Sequence, residues 1–113
     1  MASFGRPLDQ FTWTPAEKAV ARRAFDKALQ REFAEVIRNT KQMAAAIEEP
    51  SQLWRLERYL TSRRKHIDEQ FDYRYSRLPI VLGVLIREHR LSEEDLRGLG
   101  EEKLESIRKV ANL

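Results

Sequence analysis

The chain contains no cysteine. Disulfide staples, thiolate nucleophiles and thiolate metal sites are all excluded by that one absence. Glycine and proline are scarce as well, four of each in 113 residues, so turn signals are thin and long helices are expected. No apolar run approaches the length of a membrane span, and the opening residues MASFGRPLDQFTW lack the apolar centre of a signal peptide. The expectation is a cytoplasmic protein. Histidine occurs twice, as His66 and His89. Asp68, Glu69 and Asp72 lie near His66, but no His-x3-His or Glu-x-x-His spacing sets two ligands on one helical face. Ser51, Ser62, Ser76, Ser92 and Ser106 sit in no nucleophile elbow, and the glycines form no phosphate loop. The sequence reads as a non-enzyme with no metal and no cofactor.

Charge is abundant, at 35% of residues, yet the formal balance is only +3. That is too little to announce nucleic acid. The length suits one domain with a modest core. Residues 1–12 carry Gly5 and Pro7 with no apolar period, and read as a flexible arm. Residues 13–113 read as a single all-α domain. Thr14-Pro15-Ala16-Glu17 is a strong helix start, because Thr14 and Glu17 can cap each other's amides and Pro15 suits the first helical position. Val20, Ala21, Ala24, Phe25, Ala28, Leu29, Phe33, Val36, Ile37, Met43, Ala44 and Ile47 then keep to one face, and no breaker occurs before Glu49-Pro50.

Such a helix runs about 50 Å, whereas a compact domain of this size has a radius of gyration of about 14 Å. Its stripe needs a cover from outside the subunit. A second helix starts at Pro50 and must stop or kink before Pro79. Ile80 to Ile86 form an apolar run read as a buried helix. Ser92-Glu93-Glu94-Asp95 starts a short helix ended by Gly98 and Gly100, and Glu101 to Val110 form the last. The expected architecture is all-α and dimeric. A long two-helix stem covers about residues 14–78 and a small helical head about residues 79–113.

The second helix carries more than a core helix requires. Leu53, Leu56, Leu60, Ile67 and Phe71 form an apolar stripe at steps of three, four and seven. Beside it lie Trp54, Tyr59, Tyr73 and Tyr75, interleaved with Arg55, Arg58, Arg63, Arg64, Lys65, Arg74 and Arg77. Tryptophan, tyrosine and arginine dominate recognition surfaces. Residues 51–90 hold nine Lys or Arg against five acids, while residues 91–113 hold four against six. The basic face is thus local to this helix and the segment just after it.

Several of these residues carry a resemblance to the fluorescence recovery protein family of cyanobacteria. They are Trp13, Phe25, Lys27 to Glu32, Leu53 and Trp54, then Leu56, Leu60, Arg64, Ile67, Asp68, Asp72, Arg74 and Ser76. Leu85, Glu88, Leu96, Leu99, Lys103, Ile107 and Leu113 continue it, in register and without an internal gap from about Trp13 onward. The resemblance implies an all-helical homodimer. It implies a non-enzymatic regulator that binds the photoactivated orange carotenoid protein through that protein's C-terminal domain and speeds its return to the resting form. It places Trp54, Glu57, Arg58 and Arg64 on the partner-binding surface, with Arg64 as charged anchor and Trp54 as apolar anchor. It places Leu53 in the dimer interface, where Leu56 and Leu60 of the same stripe join it. The chain departs from the family at Glu57 and Arg58, where the family has a histidine and an acid. Ile80 replaces a family aromatic and Ser106 a family basic residue.

Alternative readings stand beside this one: a divergent homologue with another protein client, a clientless structural dimer, or a small helical nucleic-acid-binding module. The last leans on the paired segments LSEEDLRGLGEEKLESIRKV, but that pair is acidic and offers no groove-reading helix.

Overall fold

A computed structural model describes residues 11–113. It contains four α-helices and, among the described residues, no strand: α1 (Pro15–Ala45), α2 (Pro50–Gln70), α3 (Leu78–Arg87) and α4 (Glu101–Ala111). A 3-10 turn, Glu93–Leu96, lies between α3 and α4.

The start of α1 follows its sequence signature. Thr14 Oγ1 accepts from the Glu17 amide at 3.1 Å, and Glu17 accepts from the Thr14 amide at 3.0 Å. The helix then runs unbroken for 31 residues. The chain turns at 46–49, where the Gln52 side chain accepts from the Glu49 amide at 3.0 Å, and Pro50 opens α2. Asn39 donates to the Tyr59 hydroxyl at 3.0 Å, and farther along Glu32 meets Arg63. Helices α1 and α2 therefore form an antiparallel hairpin.

Helix α2 stops earlier than the apolar period suggested. Its last residue is Gln70, and Phe71 leaves helical backbone at φ −91°, ψ 73°. Phe71 and Tyr73 turn instead onto the Phe25 ring, edge to face, with centroids 5.4 and 4.9 Å away. A tertiary contact of aromatic rings outweighs the continuation of one more helical turn.

The head is built on α3 and α4, which cross at Gly83. A Cβ at this position would lie 2.6 Å from Val110 Cβ and 2.8 Å from the Ile107 carbonyl oxygen. The core joins Val20, Ala21, Ala24, Phe25 and Ala28 of α1 to Leu78, Val81, Leu82 and Leu85 of α3, with Leu91, Leu96, Leu99 and Ile107. The division expected near residue 78 thus falls elsewhere. The first half of α1 belongs to the head, and the stem is the second half of α1 with α2.

Phe11 and Trp13 also lie in this core, so Phe11 is no part of a loose arm. The rest of the expected arm, residues 1–10, lies outside the described residues. The short helix expected after Ser92 is a single 3-10 turn, though its capping logic holds: Asp95 accepts from the Ser92 amide at 3.0 Å. The molecule measures 58 × 27 × 20 Å with a radius of gyration of 17.2 Å, well above the about 14 Å of a compact domain this long.

Candidate partner-binding surface

The stem has an apolar side that no other described residue covers. Trp54 is 59% exposed, Leu53 49%, Leu60 40%, and across the hairpin Ile37 is 53% and Phe33 42% exposed. These are high values for large apolar side chains gathered in one place. Phe33, Val36, Leu53, Trp54, Leu56, Leu60 and Ile67 line a shallow groove of about 760 Å³, and Glu57, Thr61, Arg63, Arg64 and Asp68 edge it. Leu56 is half-buried and Ile67 is buried at the hairpin's seam.

The expected site residues divide. Trp54, Glu57 and Arg64 come together along the groove. Arg58 is exposed but lies outside the groove lining. Glu57 accepts from the Thr61 hydroxyl at 3.0 Å. Arg64 is exposed and no ion pair engages it among the described residues, whereas its neighbour Arg63 turns inward to Glu32. The tyrosines do not join this surface. Tyr59 is held by Asn39 inside the hairpin. Tyr73 and Tyr75 lie past the end of α2 in a ring cluster with Trp13 and Phe25, where Tyr75 meets Trp13 at 5.7 Å and Tyr73 at 5.6 Å. Arg22 lies over the Tyr73 ring at 4.5 Å.

Two buried carboxylates, Glu32 and the capping residue Glu17, have tertiary partners that the sequence did not show. Glu32 is only 1% exposed and binds Arg63 of α2 together with Arg90 beyond α3, the latter at 2.7 Å. Burial by itself would raise its pKa, but the hydrogen bonds and charges of the two arginines outweigh this and hold the carboxyl below its ordinary value. The signal was present: Glu32 follows Ala24 and Ala28 at steps of four, on the inward face of α1. Glu17 accepts from the Gly100 amide at 2.8 Å and from Lys103 Nζ at 3.1 Å. Burial again acts upward, and the Thr14 and Gly100 amides with Lys103 override it, so this carboxyl is lowered too.

Among the described residues, no group of three His, Asp or Glu side chains is placed to hold a metal ion. No helix there is long and apolar enough to cross a membrane.

The class defined by these features is an elongated all-helical protein with a helical-hairpin stem, one apolar side open to solvent, and a small head. The family described as the photoprotection regulator fluorescence recovery protein matches residues 13–111. The Fluorescence recovery protein of Synechocystis sp. PCC 6803 is 32% identical over 101 residues, which is 89% of this chain and 93% of that protein. The solved structure of the Fremyella diplosiphon Fluorescence Recovery Protein superposes with a TM-score of 0.87 at 35% identity, covering 90% of this chain and 100% of that one. The Synechocystis structure gives the same TM-score and coverage at 31% identity. The chain belongs to the fluorescence recovery protein family, a family of photoprotection regulators.

Proposed function

We propose that this protein is a non-enzymatic cytoplasmic regulator. It binds the photoactivated orange carotenoid protein, through that protein's C-terminal domain, and accelerates its return to the resting form. The observation that carries this reading is Trp54, more than half exposed, on the same apolar groove as an exposed Arg64 that no ion pair engages among the described residues. An aromatic anchor and an arginine at the edge of an apolar groove are the side chains that dominate binding energy in interfaces. The mechanism is a population shift: the protein acts by binding an intermediate arrangement of its client more tightly than either end state.

We propose further that the chain is a homodimer whose interface uses Leu53, Leu56 and Leu60. Family membership and the exposed stripe support it. Replacing Leu53 by Glu sets a carboxylate in that seam, which is strongly unfavourable without a partner, and sedimentation of the variant should show monomer. A wild-type chain that is monomeric at micromolar concentration would remove the dimer.

The client is tested by dark recovery. The wild-type chain should speed the red-to-orange return of a cyanobacterial carotenoid protein, and Arg64→Ala should lose the effect while keeping its helical signal. Arg58 stands where the family has an acid, a reversal that costs affinity when it meets a surface shaped for the acid. Arg58→Asp should therefore act more strongly than wild type. Equal rates for wild type and Arg64→Ala would misplace the site. No action in either form, with the dimer intact, would favour a different protein client.

A further inference from the structure

We propose that the junction between the start of α1 and the segment after α2 is a docking site for an acidic segment of a partner protein, with Lys18 and Arg22 as its cations. Tyr75 and Tyr73 hold those cations in place. The site is separate from the groove at Trp54 and Arg64, and it does not depend on what that groove binds.

Lys18 and Arg22 lie one turn apart on one face of α1, and both are exposed. The Lys18 ammonium stands over the Tyr75 ring at 5.2 Å, and the Arg22 guanidinium over the Tyr73 ring at 4.5 Å. The rings are fixed in turn, Tyr73 against Phe25 at 4.9 Å and Tyr75 against Trp13 at 5.7 Å. Two flexible side chains are thereby set before any ligand arrives, which lowers the ordering cost of binding. Their donors are largely uncommitted. Lys18 enters no ion pair among the described residues, and Arg22 gives only its Nε, to Asp26 at 3.2 Å, out of five N–H groups. Arg77, after α2, is exposed and likewise enters no ion pair among the described residues. The acids here are Asp26 and Asp72, and each is already paired, with Arg22 and with Arg74. A surplus of positive charge remains.

The surplus suits an anion, and the rings decide which kind. Single-stranded nucleic acid is held by stacking its bases on free aromatic faces. Here the tyrosine rings are taken up by the two cations and by each other, Tyr73 meeting Tyr75 at 5.6 Å. A phosphate backbone would also run on past so short a patch, and the head is acidic, with six acids against four Lys or Arg in residues 91–113. A short carboxylate-bearing segment fits better, because guanidinium and ammonium donors form their strongest hydrogen bonds with such groups. Charge matching of this kind sets the speed and selectivity of docking. Burial, and then the neighbouring Tyr75 hydroxyl, push the Tyr73 hydroxyl up to about 12, so at neutral pH it brings no negative charge of its own to the site.

A fluorescein-labelled oligoglutamate peptide tests the site, read by anisotropy at low and at high salt. The wild-type chain should bind it at low salt and release it as screening rises. Lys18→Gln combined with Arg22→Gln should weaken binding by at least about tenfold. Arg55→Gln combined with Lys65→Gln removes the same charge from the exposed face of α2 and should leave binding within about twofold of wild type. Tyr75→Leu keeps every charge but takes away the ring beside Lys18, and should weaken binding about threefold. All five positions are exposed, so each variant should keep the wild-type helical circular dichroism. No binding at low salt would overturn the site. So would equal losses in the two double variants, since general basicity would then account for the binding. Tighter binding of a single-stranded oligothymidylate of equal charge would also overturn it, in favour of a nucleic-acid surface.

Discussion

Glu32 and Arg90 meet at 2.7 Å, although 58 residues separate them and one lies mid-helix while the other follows α3. Arg63 of α2 closes on the same carboxylate. Three segments, the middle of α1, α2 and the loop after α3, are therefore tied by one buried acid. Arg90 also reaches Glu35 at 3.0 Å. The carboxylate thus links the stem hairpin to the loop that leaves α3.

Removing it should be costly. Glu32→Ala leaves Arg63 partly buried without its partner and Arg90 with Glu35 alone, and breaking a buried pair costs about 3–5 kcal/mol. A lower urea midpoint should appear together with increased small-angle scattering radius or faster amide exchange where Arg90 meets α1. An unchanged midpoint would mean that the triad contributes nothing net.

Acid should act through the same groups. The Asp95 carboxyl lies at about 2: burial pushes it up, but the Ser92 amide, Lys27 and Arg31 outweigh that. Glu17 and Glu32 are lowered as well. Folded-state values below the unfolded ones mean the unfolded chain takes up protons first. Stability from these groups is therefore full above the ordinary carboxylate range and is lost as pH falls toward about 2. Urea midpoints should be flat above about pH 5 and decline steadily below it. A rise in stability on acidification would contradict the assignment.

Gly83→Ala pits two effects against each other. Helix propensity favours alanine by about 1 kcal/mol, but the new methyl would lie 2.6 Å from Val110 Cβ and 2.8 Å from a fixed carbonyl oxygen. Overpacking of this kind costs about 1–3 kcal/mol, and the contact with backbone cannot be relieved by a rotamer change. The thermal midpoint should fall by several degrees. Combining it with Val110→Ala should recover part of the loss.

Phe11→Ala should destabilise the head. The ring is buried in the core and Lys103 lies over it at 5.5 Å. Loss of a buried phenylalanine costs about 3–5 kcal/mol, with the lower end expected for a residue at the margin of a core. A thermal midpoint within a degree of wild type would show the ring to be dispensable.

Much of the architecture was legible because it is written in local chemistry. The Thr14–Glu17 box, the prolines at residues 15 and 50, and the 3.6-residue period place α1 and the start of α2 without reference to any other element. The end of α2 was not legible. Phe71 continues the stripe in phase, and only the Phe25 ring on another helix decides that it leaves. Arg63 and Arg64 look alike in sequence for the same reason. Which one turns inward depends on Glu32, 31 residues away. Trp54 was found where periodicity put it, at the border of the stripe, and Arg64, singled out by the resemblance and not by periodicity, edges the same groove. Tyr59, Tyr73 and Tyr75 shared their composition signal and proved to be packing residues.

Gly100 and Lys103 close on Glu17 across 83 and 86 residues of chain, and this orders events during synthesis. The stem hairpin joins neighbours in sequence and can form as soon as α2 clears the ribosome. The head cannot, because its first wall, the opening half of α1, is made well before its last wall, α4, at residues 101–111. At about 5–20 residues per second, the buried face of α1 waits several seconds for α3 and α4. During that interval Phe25 and its neighbours are bare, and a nascent chain stalled before Glu101 is a candidate for chaperone capture or for pairing with the wrong polypeptide.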